Sequence, residues 1–377
     1  MVQESISNKT IAIVGAGPAG CICAKFLIDA GYDVSIFDKG KFLQTILPTG
    51  GGRCNLTHAQ YDFKELAKNY PRGEKFLYSV FSKFGVCETL EFFKTIDIET
   101  YTQDDNRIFP TSNSAKEVRA KLLKSISKTT FINEKVTDLK QISNGFKIST
   151  NKSTYAFDNV VVAIGGHSSF ELISKLGIDI NPPTQSLVGL TTKEDFSSIA
   201  GVSINNILFT HKGVSGPEIY KISSLNARKQ FPYKLSFCFA KCDNMQDELN
   251  SNPHKEIKNL LGQFVPKALA IWILNTLKIP HDTQCHQING KTRDKIINRL
   301  ENFEVTITGK VPDGEVVTCG GVNLKEVNPK TLESKKYSGL YFCGEVLDID
   351  GFCGGFNLQN CWSTGYIASL GIINSLK

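Results

Sequence analysis

Three glycines near the start of the chain have the spacing of a phosphate-binding turn. Gly15, Gly17 and Gly20 form the pattern G-x-G-x-x-G between an apolar run and a helical stretch. The first glycine permits a tight turn, the second leaves room for a pyrophosphate, and the third lets the helix pack closely on the strand. N–H groups at the start of that helix attract phosphate. The predicted phosphate-binding residues are Gly15, Ala16, Gly17, Pro18, Ala19 and Gly20.

An acidic residue stands where a dinucleotide would present a ribose. Asp38 ends the second apolar run, about 20 residues beyond the last glycine of the turn. Its carboxylate can accept hydrogen bonds from both ribose hydroxyls. We therefore predict that Asp38 and the adjacent Lys39 contact a dinucleotide.

Three further glycine-bearing segments adjoin predicted strands, at residues 50–55, 165–166 and 344–355. Strand ends of a doubly wound sheet gather at one edge, so a single extended ligand could touch all of these segments. A helix predicted to begin near Phe356 would aim its N-terminus at charge developing on a ring, and reduced flavin carries such charge. These features predict FAD rather than NAD alone.

The candidates for chemistry beyond cofactor binding each have a simpler explanation. His211 is the candidate general acid or base, although a histidine at a strand end often only stabilises a turn. Cys54 and Cys343 adjoin predicted flavin-binding backbone, but we favour a space-filling role because neither has a resolving cysteine. Arg53 could meet a phosphate or the flavin edge, or form a structural salt bridge. No metal site is predicted.

The elements that would position these residues form an α/β pattern. The apolar runs at 11–14, 160–164 and 340–343 each end in a turn that contains glycine or an acidic residue, which predicts three strands of one parallel sheet. Ser114 and Glu117 form a capping box that predicts a helix from Ala115. Asn144 and Gly145 predict a hairpin turn.

Strands and helices no longer alternate over residues 188–317, where short β-like segments precede helical stretches. We predict residues 1–187 and 318–377 to form one split Rossmann-like domain and residues 188–317 to form an inserted domain.

The sequence resembles the BaiN and aminoacetone-oxidase-like family of NAD(P)/FAD-dependent flavoproteins. The resemblance rests on TGGGRCNLTH, NRIFPTSNSA, LFTHKGVSGP, CGGVNLKEVNPKTLESK and GLYFCGEVLDIDGFCGGFNLQNCWSTGY. It implies a split Rossmann-like FAD domain with a parallel sheet. It also implies an inserted β-barrel with helices that covers the flavin. This sequence departs from the family pattern in two places. Its strand-end motif is AIGG, where relatives usually carry ATGG, and Pro48-Thr49 precede the triple glycine. Neither departure removes a backbone contact.

The resemblance also implies where this chain would contact each part of FAD. The residues implied along the flavin are Gly51, Gly52, Arg53, Cys54 and Asn55. Those implied beside the adenine half are Val136, Ala163, Ile164 and Gly165. Those implied at the ribityl chain are Gly344 and Glu345, and those facing the isoalloxazine are Gly355, Phe356, Asn357, Leu358 and Gln359.

Composition limits the classes of function. The 377 residues are 41% hydrophobic and 21% charged with a net charge of +6, which is typical of a globular protein. No basic–aromatic cluster is evident, so nucleic acid is an unfavoured partner. No membrane span or targeting segment is evident, so we expect a cytoplasmic protein. The sequence leaves the oligomeric state open.

The sequence therefore predicts an FAD-dependent oxidoreductase that transfers hydride between flavin and a small organic substrate. The reaction could be amine oxidation or the reduction of an enone or alkene. Because a second G-x-G-x-x-G is absent, NAD(P)H would bind only transiently if it is used. The alternatives are a flavin-dependent RNA-modifying protein and a flavin-binding regulator without turnover.

Overall fold

The structure is a computed structural model that describes residues 9–312 and 317–376. Its strands are β1 Thr10–Val14, β2 Asp33–Phe37, β3 Thr57–His58, β4 Thr100–Thr102, β5 Arg107–Pro110, β6 Thr130–Ile132, β7 Val136–Ile142, β8 Gly145–Thr150, β9 Thr154–Phe157, β10 Asn159–Val162, β11 Ile180–Ser186, β12 Leu190–Thr192, β13 Ser203–Ile204, β14 Ile207–Thr210, β15 Gly213–Ser215, β16 Tyr233–Phe237, β17 Phe303–Lys310, β18 Val317–Val322 and β19 Leu340–Phe342. Its α-helices are α1 Pro18–Asp29, α2 Phe63–Ala67, α3 Glu74–Phe81, α4 Val86–Thr95, α5 Ala115–Ser125, α6 Glu171–Ser174, α7 Pro217–Leu225, α8 Met245–Ser251, α9 Ile257–Leu261, α10 Lys267–Thr276, α11 Gly290–Glu301 and α12 Phe356–Ser375.

The chain divides into two compact units. The first, called here the nucleotide unit, combines residues 1–184 with residues 317–377, and the second, called here the insert unit, is residues 185–316. Each has its own apolar core. Within the residues that the structure describes, no helix is both long and apolar enough to span a bilayer.

A five-stranded parallel sheet organises the nucleotide unit, with strand order β19-β10-β1-β2-β6. Ile13 of β1 pairs with Val161 of β10, and Val161 in turn pairs with Tyr341 of β19. β10, which is three valines after Asn159, is buried along its length because it lies inside the sheet. This arrangement confirms the prediction that three strands distant in sequence share one parallel sheet.

Two helices pack against each other through small residues. A Cβ on Gly365 of α12 would lie 2.4 Å from the carbonyl oxygen of Ala19 in α1. Only glycine permits this approach, which brings α12 against α1. The C-terminal residues are thereby built into the unit that the N-terminal residues begin.

Smaller sheets flank the parallel sheet in the nucleotide unit. β3 and β4 pair with β5, and β7, β8 and β9 form an antiparallel meander. The predicted hairpin is present, but Ile142 pairs with Gly145, so its turn is Ser143-Asn144, one residue earlier than predicted. The predicted cap of α5 is confirmed, since the Ser114 hydroxyl accepts a hydrogen bond from the Glu117 N–H.

The insert unit contains an antiparallel sheet with strand order β13-β14-β15-β12-β17-β16. The insert unit also contains helices α7 to α11. Its core includes packed aromatic rings such as Phe196, Phe209 and Phe303. The resemblance implied a β-barrel, whereas the pairings among the described strands run in an open series from β13 to β16. The two-residue β13 at one edge offers few backbone groups for closing a ring.

Candidate FAD site

The three glycines at the turn between β1 and α1 have different surroundings. Gly15 has φ +113°, and a Cβ there would lie 2.3 Å from the Ala163 carbonyl oxygen. A Cβ on Gly20 would lie 2.1 Å from the Gly15 carbonyl oxygen. Gly17 differs from both, because no atom lies within 4 Å of its Cβ position and its φ is −79°. Thus Gly15 and Gly20 are required by packing, while Gly17 borders open space at the helix N-terminus.

Asp38 holds the same turn in place. One carboxylate oxygen accepts a hydrogen bond from the Ala16 N–H at 2.8 Å, and the other accepts from the Gly40 N–H at 2.9 Å. Each oxygen can accept a further hydrogen bond, so these contacts leave capacity for ribose hydroxyls. Asp38 therefore stabilises the turn and can also bind a ligand.

A cavity of about 420 Å³ opens beside this turn. Several predicted cofactor-binding residues line it together: Gly15, Asp38, Lys39, Val136 and Ile164. Its other lining residues include Glu134, whose carboxylate accepts hydrogen bonds from the hydroxyls of Thr150 and Tyr155. The structure thus brings the predicted ribose and adenine contacts to one cavity of a size suited to such a ligand.

The remaining predicted residues of the adenine half follow β10. Ala163 donates its N–H to the Val14 carbonyl and is buried. Gly165 has φ +73° and no atom within 4 Å of its Cβ position. Like Gly17, it presents bare backbone to open space.

The triple-glycine segment is a short 3-10 turn at Thr49–Gly52 with left-handed residues inside it. Gly51 is exposed and borders open space, whereas a Cβ on Gly50 would lie 2.6 Å from the Phe109 ring. Gly52 is exposed and also has positive φ. Gly50 is thus required for packing on Phe109, and the next two glycines leave backbone accessible.

The end of this segment is joined to the start of α12. One orientation of the Asn55 side-chain amide gives hydrogen bonds to both its nitrogen and its oxygen. In that orientation the nitrogen donates to the Thr57 and Ile108 carbonyls, and the oxygen accepts from the Gly355 N–H at 3.0 Å. Asn55 is nearly buried, so these hydrogen bonds have little competition from water. The glycine loop and the helix N-terminus therefore form one structural assembly.

Most side chains in the first turn of α12 contact protein rather than open space. Asn357 exchanges hydrogen bonds with Gly351, and the fully buried Gln359 amide contacts Thr57, Gly85, Thr89 and Ser363. Phe356 lies under the His58 ring with a centroid distance of 4.6 Å, and Leu358 is half-buried. The ligand-binding capacity of this end lies in its first N–H groups, which have no partners within the helix.

Gly344 and Glu345 follow β19, next to both packed helices. Gly344 donates its N–H to the Thr364 hydroxyl of α12, and a Cβ on Gly344 would lie 2.7 Å from the Ala19 Cβ. Glu345 is half-buried. These contacts place the predicted ribityl-binding pair beside the N-terminal part of α1.

The two cysteines weighed as redox groups are buried thiols. Burial raises the pKa of the Cys54 thiol to about 12 and raises the pKa of Cys343 well above its ordinary value. Since the thiolate is the reactive form, neither is suited to thiol redox chemistry at neutral pH. This supports the space-filling interpretation.

His58 is a residue at this site that the sequence did not single out. Its Nδ1 lies 3.1 Å from the Gly354 carbonyl oxygen, and burial lowers the pKa of its ring. His58 pairs with Arg107 across β3 and β5. The only sequence signal was its position at the end of the TGGGRCNLTH segment.

His211 lies in the insert unit, in the exposed turn between β14 and β15. Hydrogen bonds from Ser197 hold the pKa of Asp195 below its usual value, and the charge of nearby His211 adds to this shift. The Thr210 hydroxyl donates to the Gly213 carbonyl, which closes the turn. A catalytic role for His211 stays a prediction.

The residues present fit an FAD molecule. Three glycines expose backbone to open space, at Gly17 after β1, Gly51 in the glycine loop and Gly165 after β10. The Asp38 carboxylate and a cavity adjoin the β1–α1 turn that contains Gly17. The N-terminus of the 20-residue α12 is joined to the glycine loop through Asn55. These features suit, in turn, a pyrophosphate, an adenosine and a ring that gains negative charge.

The fold and this site define a Rossmann-type, FAD-binding class of oxidoreductase. The chain belongs to the HI0933-like family, since the model of the HI0933-like protein Rossmann domain matches residues 9–371. This is a family of FAD-dependent oxidoreductases, and it is the family of the BaiN-like flavoproteins that the sequence resembles.

Two curated relatives match almost the whole chain. A ribosomal RNA dihydrouridine synthase of Haemophilus influenzae is 28% identical over 400 residues, covering 96% of this chain and 97% of the relative. A 3-dehydro-bile acid delta(4,6)-reductase of Clostridium scindens is 28% identical over 402 residues, covering 95% of this chain and 97% of the relative.

A solved structure supports the fold assignment. The open conformation of a flavocytochrome c3 fumarate reductase aligns with a TM-score of 0.53 at 14% identity and covers 98% of this chain and 79% of that chain. The predicted fold class of a Rossmann-type domain with a parallel sheet is thereby confirmed.

Proposed function

We propose that this protein reduces a carbon–carbon double bond conjugated to a carbonyl group, with FAD as its resident cofactor. The observation that carries the proposal is that two relatives aligned over almost the whole chain bear names of one chemistry. A dihydrouridine synthase and a delta(4,6)-reductase of an oxidised bile acid both add hydrogen across a double bond conjugated to a carbonyl. Enone reduction was one of the two reactions predicted from the sequence.

The nucleotide unit supplies binding and orientation for this reaction. Gly17 and the α1 N-terminus would hold the pyrophosphate, Asp38 the adenosine ribose, and the α12 N-terminus the pyrimidine edge of the flavin. FAD, when bound, supplies the hydride that the double bond accepts. Buried Cys54 and Cys343 stay protonated at neutral pH, so they offer no competing thiol path.

The test is an anaerobic reoxidation experiment. FAD-loaded protein is reduced with NADH, NADPH or light, and its absorbance is followed after addition of cyclohexenone, a dienone steroid or uridine-containing RNA. We expect at least one of these compounds to reoxidise the flavin and to appear as its saturated product. Bleaching of the oxidised protein by simple amines, without reoxidation by any of the alkenes, would instead favour amine oxidation.

A uracil base within RNA is a second candidate substrate, and an exposed segment of the insert unit favours it. Lys229 lies 4.5 Å above the Tyr233 ring, and Phe231 stacks on the same ring at 5.5 Å. Arg228, Lys229, Phe231 and Lys234 are exposed within seven residues. Cations and a stacking ring are the groups that bind single-stranded RNA. This cluster was not evident from the sequence.

Filter binding of a uridine-rich RNA tests this second candidate. Phe231→Ala should weaken binding about 5- to 100-fold, the range for loss of one stacked base. Lys229→Glu should also weaken binding, because it replaces a cation near the RNA phosphates with an anion. Lys295→Glu changes an exposed lysine of α11 in the same unit and serves as the matched charge control. Equal binding by all variants would exclude this segment from RNA recognition.

A further inference from the structure

Arg53 holds a half-buried guanidinium without an ionic partner in the described parts of the chain. Its Nε donates to the Gly50 carbonyl at 3.1 Å, and its Cζ lies 4.1 Å from the centre of the Phe109 ring. These two contacts fix its direction. Across residues 9–312 and 317–376, no carboxylate forms an ion pair with it and its terminal nitrogens have no hydrogen-bond acceptor. A cation in this state is prepared for an anionic ligand.

A second arginine beside the same ring has a different environment. Arg107 lies 5.6 Å from the Phe109 centroid, but its guanidinium pairs with Asp105 at 2.6 Å. Asp105 thereby compensates the charge of Arg107. No carboxylate among the described residues compensates the charge of Arg53. The two arginines beside Phe109 therefore form a matched pair for mutagenesis, one with an ionic partner and one without.

The backbone around Arg53 is held in an unfavourable conformation. Gly50 and Gly51 have φ of 58° and 69°, and Cys54, which is not glycine, has φ of 66° and is fully buried. A non-glycine residue in this region costs free energy, and such strain clusters at ligand sites. Asn55 joins this loop to the Gly355 N–H at the start of α12. The loop thus sets Arg53 at a fixed position relative to that helix N-terminus.

We propose that Arg53 is the catalytic residue that binds the substrate's carbonyl oxygen and stabilises the negative charge that develops there. This proposal rests on the proposed reduction of a conjugated double bond. Hydride adds to the β carbon with its electron pair, the double-bond pair moves toward the carbonyl, and the oxygen becomes an enolate oxyanion. The Arg53 N–H groups donate to that oxygen. A proton from solvent then adds to the α carbon, and the carbonyl re-forms, while NADH or NADPH supplies the hydride overall.

The experiment titrates FAD-loaded protein with 4-chlorophenol, a planar compound that ionises to an oxyanion. The long-wavelength absorbance of a phenolate stacked on oxidised flavin reports binding without any turnover. We expect Arg53→Met to weaken phenolate binding about tenfold or more, which is the scale of one charge-assisted hydrogen bond. Arg107→Met should bind the phenolate like the parent protein, and Arg53→Lys should be intermediate.

Flavin content, thermal unfolding and the flavin's midpoint potential are measured on the same variants. If Arg53→Met does not fold, Arg53→Lys and Arg53→Gln provide the comparison. The proposal is overturned if the parent protein binds no phenolate, or if the Arg53 variants bind it normally. It is also overturned if the Arg53 variants fail to retain FAD under conditions in which Arg107→Met retains it, because Arg53 would then serve the cofactor.

This result is separable from that of the reoxidation experiment. If phenolate binding depends on Arg53 but no conjugated alkene reoxidises the flavin, the anion site stands and the proposed reaction fails. If alkenes reoxidise the flavin equally well in Arg53→Met, the reaction stands and the role of Arg53 fails.

Discussion

Asp38 shows how one side chain can serve both the fold and a ligand. Both of its oxygens accept backbone N–H groups of the turn, from Ala16 and Gly40. Its position at the end of β2 was predictable from sequence spacing. Its hydrogen bonds to the turn were not, because they depend on the path of the chain after Gly15.

Asp38→Asn should weaken FAD binding about 10- to 100-fold, because an amide accepts at one end only and carries no charge. Equilibrium titration with FAD measures the change. Asp29→Asn is the control, since Asp29 is the last residue of α1 and its carboxylate pairs with Lys25 at the surface. Equal affinity in Asp38→Asn and the parent protein would remove Asp38 from the cofactor site.

His58 should make stability depend on mildly acidic pH. Burial lowers the pKa of its ring, so the unfolded chain binds more protons than the folded protein as pH falls below about 6.5. The free energy of unfolding is therefore expected to decrease from neutral pH toward lower pH. His58→Asn should flatten this decrease, and the exposed His254→Asn should leave it unchanged. Urea unfolding at a series of pH values gives the slopes, and identical slopes for all three proteins would contradict this assignment.

Within the β1–α1 turn, one glycine is required for packing and another borders the space proposed for the ligand. Gly17→Glu should leave the apoprotein folded, because nothing lies within 4 Å of its Cβ position, yet abolish FAD retention by occupying the pyrophosphate site with an anion. Gly15→Ala should destabilise the protein itself, because its Cβ would meet the Ala163 carbonyl oxygen. Flavin content and thermal unfolding of both variants measure the contrast. Normal flavin content in Gly17→Glu would place the ligand elsewhere.

The parallel strands were predictable because buried strands such as β10 need continuous apolar runs, and the turns after them need glycine. The capped start of α5 was predictable because Ser114 and Glu117 are only three positions apart in sequence. Side-chain partners distant in sequence were not predictable. Gln359 matched a flavin-facing position by resemblance, yet its amide is satisfied by Thr57, Thr89 and Ser363 in the core. The stacking of Phe231 on Tyr233 likewise required the backbone path between them.

At the scale of the whole molecule, the nucleotide unit carries every feature proposed to bind FAD. The two points where residues 185–316 leave it lie on β11 and β18, which are hydrogen-bonded neighbours. A short linker between Thr184 and Val317 should therefore close the unit with little strain.

Excising residues 185–316 should yield a protein that still binds FAD but has lost substrate turnover. Retained FAD binding is expected because the two units have separate cores and the predicted FAD contacts lie in one of them. Loss of turnover is expected because the resemblance implies that the inserted domain covers the flavin. Flavin content after reconstitution and the reoxidation assay measure the two properties. Loss of flavin binding across several linker lengths, or full turnover in the excised protein, would contradict this division of roles.

The identity and amount of the ligand released when the purified protein is denatured test the FAD assignment. We expect yellow protein that releases one FAD per chain, and Gly17→Glu protein that contains no FAD. Release of FMN, or colourless protein that fails to take up FAD on reconstitution, would contradict the assignment of the β1–α1 turn, Asp38 and its cavity to an FAD molecule.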